Sequence, residues 1–312
     1  MIRKNNPSTI LITGSTGFVC NYFVNSILKS TNFNIIATYR DKIGDYNVDQ
    51  RLLFVQVDLL TPSVFEEIFK KHKPDYIVHL AAMARVKDGE RQPVKVLKAN
   101  YTATVNLIKL AIKYGVKTMI TTSSNLAQDA VSVVGIGKYL VEQFVQKIDS
   151  GSTTLINFRM PNVIDSNGAV TLIFKKQIEK NQPITITHPE MSRMFITGEH
   201  ASDYLLYLLE KGENKGVYVS YEEPVKITDL AQDMIKDSGK DIDIKFIGMK
   251  PGEKLIEKCF SLNEIETTEI SGLGKLKDYH YNKEQVETVI KKLNEKKEVR
   301  ESEEIQSIFA GF

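Results

Sequence analysis

Short, continuously apolar runs alternate with amphipathic stretches through the first 160 residues, and few folds admit that rhythm. Thr9–Thr13, Asn34–Tyr39, Leu52–Val57, Tyr76–Leu80, Thr118–Thr122 and Thr154–Phe158 read as strands. Phe18–Lys29, Val64–His72, Val94–Tyr114 and Ile136–Ile148 carry apolar residues every three or four positions and read as helices. Strands without polar alternation must be buried on both faces. A parallel sheet with helices on each side provides that, with right-handed crossovers. The expected class is α/β, a doubly wound parallel sheet.

Beyond residue 160 the rhythm loosens, and Pro161, Pro183, Pro189, Pro224 and Pro251 punctuate shorter elements. A helix Gly198–Lys211 and a strand Gly216–Val219 are expected to return to the main sheet. The division that follows is a sheet domain over 1–160, rejoined by about 195–221, with a smaller lobe from 161–194 and 222–312. The densely charged end, Asn282–Ile308, spaces Val286, Val289, Ile290 and Leu293 as a solvated terminal helix would.

The chain has 41 Lys+Arg against 39 Asp+Glu, which gives no concentrated basic face and no case for nucleic acid. The longest apolar stretch, Tyr76–Met83, falls far short of the ~20 residues that span a bilayer. The start, MIRKNNPSTI, lacks a signal-peptide core. Two cysteines, Cys20 and Cys259, exclude a disulfide framework and a four-cysteine zinc site, and no metal is expected. A reduced, cytoplasmic protein follows.

Gly14, Ser15, Thr16, Gly17 and Phe18 join the first strand to the first helix. Glycines there allow a tight turn and close backbone approach to a pyrophosphate, and the helix N-terminus adds its positive end. Tyr39 and Arg40 end the second strand, where the adenosine ribose would lie. Arg40 favours the 2′-phosphate of NADP, while Asp41 keeps NAD open. Asp58, with Leu59 beside it, would meet the adenine, or else starts a turn.

The spacing Gly14-x-x-Gly17-x-x-Cys20 resembles the Gly-x-x-Gly-x-x-Gly pattern of short-chain dehydrogenases/reductases, with cysteine in the third place. Further segments sharpen the likeness: His79-Leu80-Ala81-Ala82, Asn100 within Val96–Tyr101, Arg159-Met160-Pro161-Asn162-Val163, Ser166–Val170, Thr185–Phe195 and Ile247–Glu257. Together these resemble the extended members of that group, the UDP-N-acetylglucosamine 4,6-dehydratases of polysaccharide biosynthesis. The resemblance implies a Rossmann-type domain binding NADP, a smaller C-terminal substrate lobe and a UDP-sugar, specifically a UDP-N-acetylhexosamine. It assigns Leu80, Ala81, Ala82, Asn100 and Lys138 to the cofactor. It assigns Arg159, Asn162, Gly168, Arg193, Lys250 and Glu253 to the sugar nucleotide. It also implies a homo-oligomer formed by the helices Val94–Tyr114 and Ile136–Ile148, with Val105, Ile108, Leu140 and Phe144 as candidate contacts, or else residues of the chain's own core.

The catalytic pattern departs from the family's. Asn125 stands for an aspartate, Leu126 for a lysine, Val134 for a tyrosine or methionine, and Ala84 for another lysine. Ser123, Ser124, Asn125 and Lys138 remain as catalytic candidates. General acid–base groups contribute roughly 10²–10⁴-fold each, so the standard dehydration is expected to be lost.

Overall fold

The computed structural model describes residues 7–250, 253–257, 260, 264–295 and 299–309; Pro251 and Cys259 lie outside them. In chain order the elements are β1 (Thr9–Thr13), α1 (Phe18–Ser30), β2 (Asn34–Tyr39), β3 (Leu52–Gln56), α2 (Pro62–His72), β4 (Tyr76–His79), α3 (Val86–Arg91), α4 (Pro93–Leu97), α5 (Ala103–Lys113), β5 (Thr118–Ser124), α6 (Val133–Lys147) and β6 (Thr154–Met160). There follow β7 (Asn162–Val163), α7 (Val170–Glu179), β8 (Ile184–Ile186), β9 (Ser192–Arg193), β10 (Phe195–Ile196), α8 (Gly198–Lys211), β11 (Val217–Ser220), β12 (Val225–Lys226), α9 (Ile227–Ser238), β13 (Ile244–Phe246), β14 (Ile265–Thr267), β15 (Leu273–Leu276), α10 (Lys283–Glu295) and α11 (Val299–Phe309).

The main sheet runs β14-β15-β11-β6-β5-β4-β1-β2-β3. From β3 to β11 every pairing is parallel. Ile10, Leu11, Ile12, Ile77 and Val78 are fully buried, as continuous apolar strands between two helical layers require. One face packs on α1 and α8 through Phe23, Ile27, Leu205 and Leu208; the other packs on α2, α5 and α6 through Phe69, Ile108 and Leu140. Among the described residues no helix is long and apolar enough to cross a membrane.

The expected helix Val94–Tyr114 is continuous from Pro93 to Lys113, with one π-helical turn inside it, Lys98–Thr102, which joins α4 to α5. Pro93 restarts the chain after α3. Residues 198–220 return to the sheet as expected, with β11 parallel to β6. A second core of Phe174, Ile178, Ile184, Ile186, Met191, Ile227 and Ala231 holds the smaller lobe, built on α7, α9 and the paired β8 and β13.

The lobe does not extend to the chain end. β15 runs antiparallel to β11 and β14 antiparallel to β15, so 265–276 belong to the main sheet. The expected solvated helix is instead two helices, α10 and α11. Their Val286, Leu293, Ile305 and Phe309 join the core shared with α4–α6. The apolar stripe of this densely charged segment is thus buried and not solvated.

Candidate functional site

The chain leaves β1 for β2 and β3 on one side and returns from β3 to β4 on the other, and such a switch in strand order opens a crevice at the carboxyl edge of the sheet. The loop after β1 lines one side. Gly14 has φ +82°, and a Cβ there would lie 2.8 Å from the Ala81 backbone nitrogen, so glycine is required by conformation and by space. The N–H groups of Gly14 and Ser15 bond to Thr38 O at 3.2 and 2.9 Å, fastening the loop to β2.

Gly17 precedes α1 without a side-chain cap. The first-turn N–H groups of Phe18, Val19 and Cys20 therefore point out of the helix with no helical carbonyl to meet. The Ser15 hydroxyl is buried and has no hydrogen-bond partner. An orphaned buried donor beside an open helix N-terminus fits an anionic group such as a dinucleotide pyrophosphate. Thr16 is exposed at the tip. Cys20 fills the third-glycine place as a fully buried core residue, and burial pushes its thiol up to about 12, so it stays protonated.

At the ribose end Tyr39 is half-buried and Arg40 is exposed, its Nε 2.9 Å from Asp41 Oδ2. The two opposed signals at this strand end thus pair with each other. Asp58 behaves as a turn residue: its Oδ1 accepts from Leu60 N–H at 2.9 Å and its carbonyl from the Thr61 hydroxyl at 2.6 Å. Leu59 packs on the core. Tyr46, which the sequence reading passed over, donates its hydroxyl to Ser15 O, while Asn21 Nδ2 donates to Asp45 O at 2.7 Å. The segment after β2 therefore folds back over the phosphate loop.

Leu80, Ala81 and Ala82 follow β4 across the crevice. Leu80 packs on the core, Ala81 N–H donates to Thr13 Oγ1 at 3.2 Å, and Ala82 is exposed. Asn100, in the π-helical turn, is buried. Its amide is spent on Met83, accepting from the N–H at 2.8 Å and donating to the carbonyl at 3.0 Å, which fixes the loop after β4. His79 bridges Thr13 and Thr104 at 2.7 and 2.9 Å. Burial first, and the nearby Lys138 second, push it down to about 3, so it is neutral.

The end of β5 and the start of α6 form the crevice floor. Ser132 caps α6 by accepting from Gly135 N–H at 3.1 Å. Lys138 is buried and donates its amine to Thr122 O at 2.5 Å. Burial pushes that amine down to about 8, against the pull of Glu142 one turn along. Ser123 donates to Glu142 Oε1 at 2.5 Å. Ser124 accepts from Leu126 N–H at 3.2 Å and so is spent on the turn. Asn125 is buried with its Oδ1 unpartnered, and its Nδ2 lies 3.9 Å from Met194 Sδ. Val134 is 2% exposed and packs against Gly89, so this position belongs to the core.

Arg159 is displaced from the role the sequence reading gave it. It is 1% exposed and bonds Glu142 through Nε at 2.9 Å and Nη2 at 2.7 Å, with Gln128 Oε1 at 2.6 Å from Nη1. A buried guanidinium needs a carboxylate, and this one has it. Tyr279, from the segment after β15, donates to Glu142 Oε2 at 2.6 Å. Glu142 thus accepts four hydrogen bonds. Its spacing of four from Lys138 puts both on one helix face, a signal legible in the sequence but not used. Tyr279 had no such signal.

Residues of the lobe meet the floor, Met194 beside Asn125 and Lys254 beside Gln128. Asn162 Nδ2 donates to Met194 O at 3.2 Å and to Glu257 Oε2 at 3.3 Å. Arg193 Nε lies 2.9 Å from Glu257 Oε1, and Nη1 donates to Ser192 O at 2.7 Å, so its fork is largely engaged within the chain. Burial pushes the Glu257 carboxyl up, against the pull of Arg193. Gly168, with φ +90°, packs under Arg85. Lys250 is exposed, and its N–H donates to Glu253 Oε2 at 3.0 Å, which forms a local turn. Lys254, which the sequence reading did not single out, reaches across to Gln128 O.

Comparison with known proteins narrows the reading. A sequence profile described as polysaccharide biosynthesis protein matches residues 10–276. The capsular polysaccharide biosynthesis protein CapD of Staphylococcus aureus is 32% identical over 308 residues, covering 93% of this chain and 51% of CapD, so the chain spans about half the length of that relative. Among solved structures, Pen from Bacillus thuringiensis superposes with a TM-score of 0.79 at 24% identity, covering 94% of this chain and 99% of Pen. The UDP-glucose 4-epimerase of Thermus thermophilus, solved in complex with NAD, superposes at 0.71 with 20% identity, covering 80% of this chain and 89% of that one. At these identities the likeness is one of fold, and it is the extended short-chain dehydrogenase/reductase fold.

Proposed function

The chain belongs to the polysaccharide biosynthesis protein family, and from that membership we propose a cytoplasmic enzyme of the epimerase/dehydratase kind that binds NADP and a UDP-sugar, a UDP-N-acetylhexosamine, with an altered acid–base set. The observation that carries the proposal is the open phosphate cradle, Ser15 with the first turn of α1, at the same sheet edge as Lys138.

The cofactor, when bound, supplies hydride acceptance from a sugar carbon and its return. The chain's own part is to hold and orient. Ser15 and the amides of Phe18–Cys20 take the pyrophosphate, and Arg40 turns from Asp41 to the 2′-phosphate. Lys138 takes the nicotinamide ribose hydroxyls. Asn162 and the Gly168 loop hold the nucleotide, with the Nη2 edge of Arg193, Lys250 and Glu253 toward the diphosphate side.

Elimination of water needs an acid and a base at the sugar. Asn125 offers an amide, and Leu126 and Val134 offer nothing that titrates. Glu142 is saturated by Ser123, Arg159 and Tyr279. Dehydration of the family's standard kind is therefore not expected, and the saturated carboxylate equally favours a second reading, a homologue that binds both ligands without turnover. One experiment separates these. Calorimetry with NADP, NAD and UDP-sugars is followed by mass spectrometry of the incubated sugar nucleotide. Binding with an altered sugar supports the enzyme, and binding with unchanged sugar supports the silent homologue. Loss of one water at family-like rates refutes the altered acid–base set. If NAD binds more tightly than NADP, and Arg40→Ala weakens both alike, the NADP assignment fails.

A further inference from the structure

The segment between β2 and β3, Asp41–Gln50, forms no helix or strand, yet its course along α1 is fixed. At its far root Arg51 Nη1 donates to Thr31 O and Nη2 to Leu28 O, both at 2.9 Å, so this end is tied to the last turn of the helix. Its near root is Arg40, at the ribose end of the crevice. Between the roots it rests on the phosphate loop. Gly44 comes so close that a Cβ there would lie 2.7 Å from Ser15 O. Tyr46 donates its hydroxyl to the same Ser15 O, and that hydroxyl also meets the Cys20 thiol. Asn21 Nδ2 holds Asp45 O at 2.7 Å. The Tyr46 ring lies 5.3 Å from the Phe54 ring, while Ile43 and Val48 on either side are exposed. Polar contacts at one hydroxyl and one carbonyl thus hold the middle of a strap whose far end is tied down.

We propose that Tyr46 is a positioning residue for the dinucleotide, and that the strap it clasps to Ser15 sets how fast the dinucleotide enters and leaves. The proposal rests on the dinucleotide reading above and deepens it. The strap begins at the ribose end and rests at the pyrophosphate end, so a ligand spanning both lies along it. Ser15, beneath the clasp, is 1% exposed. Fixing Ser15 O fixes the peptide plane that leads into the open first turn of α1. Cys20 belongs to the same device. A glycine in the third place of the loop pattern offers no side chain to the Tyr46 hydroxyl, and a cysteine does. The chemistry suits slow exchange, because a hydride taken from a sugar and returned to it leaves the dinucleotide in its starting state.

Stopped-flow fluorescence with NADPH, or with NADH where that is the one bound, tests the proposal. Tyr46→Phe keeps the ring on Phe54 and removes the clasp. A clasp that must open for passage limits both directions, so association and dissociation rate constants should each rise at least about tenfold while Kd changes far less. Gly44→Ala, which pushes the strap off Ser15 O and leaves the hydroxyl in place, should act in the same sense. In the free protein, amide exchange over Ile43–Asn47 should quicken in Tyr46→Phe while Phe23–Ile27 stay protected, which also shows that the variant is folded. Faster dissociation with unchanged association would make Tyr46 an ordinary ligand support and overturn the clasp. Unchanged rates, or unchanged exchange in the strap, overturn it as well. If the unmodified protein binds neither dinucleotide, the enzymatic reading falls and takes the proposal with it; binding with rates that both variants leave alone removes the proposal only.

Discussion

The phosphate loop and the floor around Lys138 face the same crevice and treat their polar groups in opposite ways. At the loop, a hydroxyl and a helix N-terminus are left without partners. At the floor, Ser123, Glu142, Arg159 and Tyr279 bond to one another and Lys138 bonds to Thr122 O, while Asn125 Oδ1 is left unpartnered. An unmet buried donor costs stability and is repaid when a ligand arrives; a met one stabilises the fold and is slow to change partners. The loop is thus built to take something up, and the floor is built to hold still.

The largest effect that separates the two regions lies in the floor. Arg159→Met leaves the Glu142 carboxylate buried without its cation, and breaking such a pair costs about 3–5 kcal/mol. The denaturation midpoint should fall accordingly. Glu142→Leu combined with Arg159→Met should recover much of the loss, because two apolar groups replace two charges. A cost near that of an ordinary surface change would mean that the floor is not the rigid half.

Next comes the loop's own shape. Gly14→Ala meets a φ of +82° and the Ala81 backbone at 2.8 Å. Strain of this kind costs about 1–3 kcal/mol, and the loop after β4 must shift as well. Cofactor affinity, read by fluorescence titration of the reduced dinucleotide, should fall at least tenfold. An unchanged affinity would detach the loop from the ligand.

How much of this was legible in sequence follows from range. The parallel core strands were readable because their apolar runs are local, and Gly14 and Gly17 because a turn is local. Arg159 was misread because its partner lies 17 residues away on another element, and only burial tells an ion pair from a ligand contact. The pairing of the Asn100 amide with Met83 was out of reach for the same reason. The C-terminal end misled through composition: the apolar spacing of Val286 and Leu293 was readable, but the dense charge around it argued for solvent, and Ile305 and Phe309 join the same buried face. Tyr279 and Lys254 reach the site over 137 and 126 residues, distances no pattern in the sequence encodes.

Lys138 ties the two regions together through pH. Its folded value, about 8, lies below the ordinary 10.5, so between those values the folded chain holds fewer protons than the unfolded one. Stability contributed by this residue should rise with pH in that window, by up to about 1.4 kcal/mol per pH unit. The burial penalty is fully present below pH 8 and gone above 10.5. Cys20 acts oppositely above pH 9, since its folded value of about 12 exceeds the ordinary 9. The rise is therefore clearest from pH 8 to 9, and Lys138→Met should abolish it in urea titrations across that unit. A slope that persists in the variant would show that the amine is not desolvated.

The smallest expected effect discriminates most sharply. The Ser15 hydroxyl makes no hydrogen bond in the folded chain, so Ser15→Ala removes nothing that the fold relies on. Stability should hold or rise slightly, because leaving a buried hydroxyl unmet costs about 1–3 kcal/mol and the methyl carries no such penalty. Binding should move the other way. A hydrogen bond to a charged group contributes about 1.5–3 kcal/mol, so dinucleotide affinity should weaken roughly 10- to 100-fold. Opposite signs in stability and affinity from a single atom are what a group held open for a ligand produces. A structural hydroxyl would lose both together, and a bystander would change neither. Thermal unfolding with and without dinucleotide reads both quantities on one sample. If Ser15→Ala destabilises the free protein while ligand binding is retained, the contrast between an open loop and a closed floor does not hold.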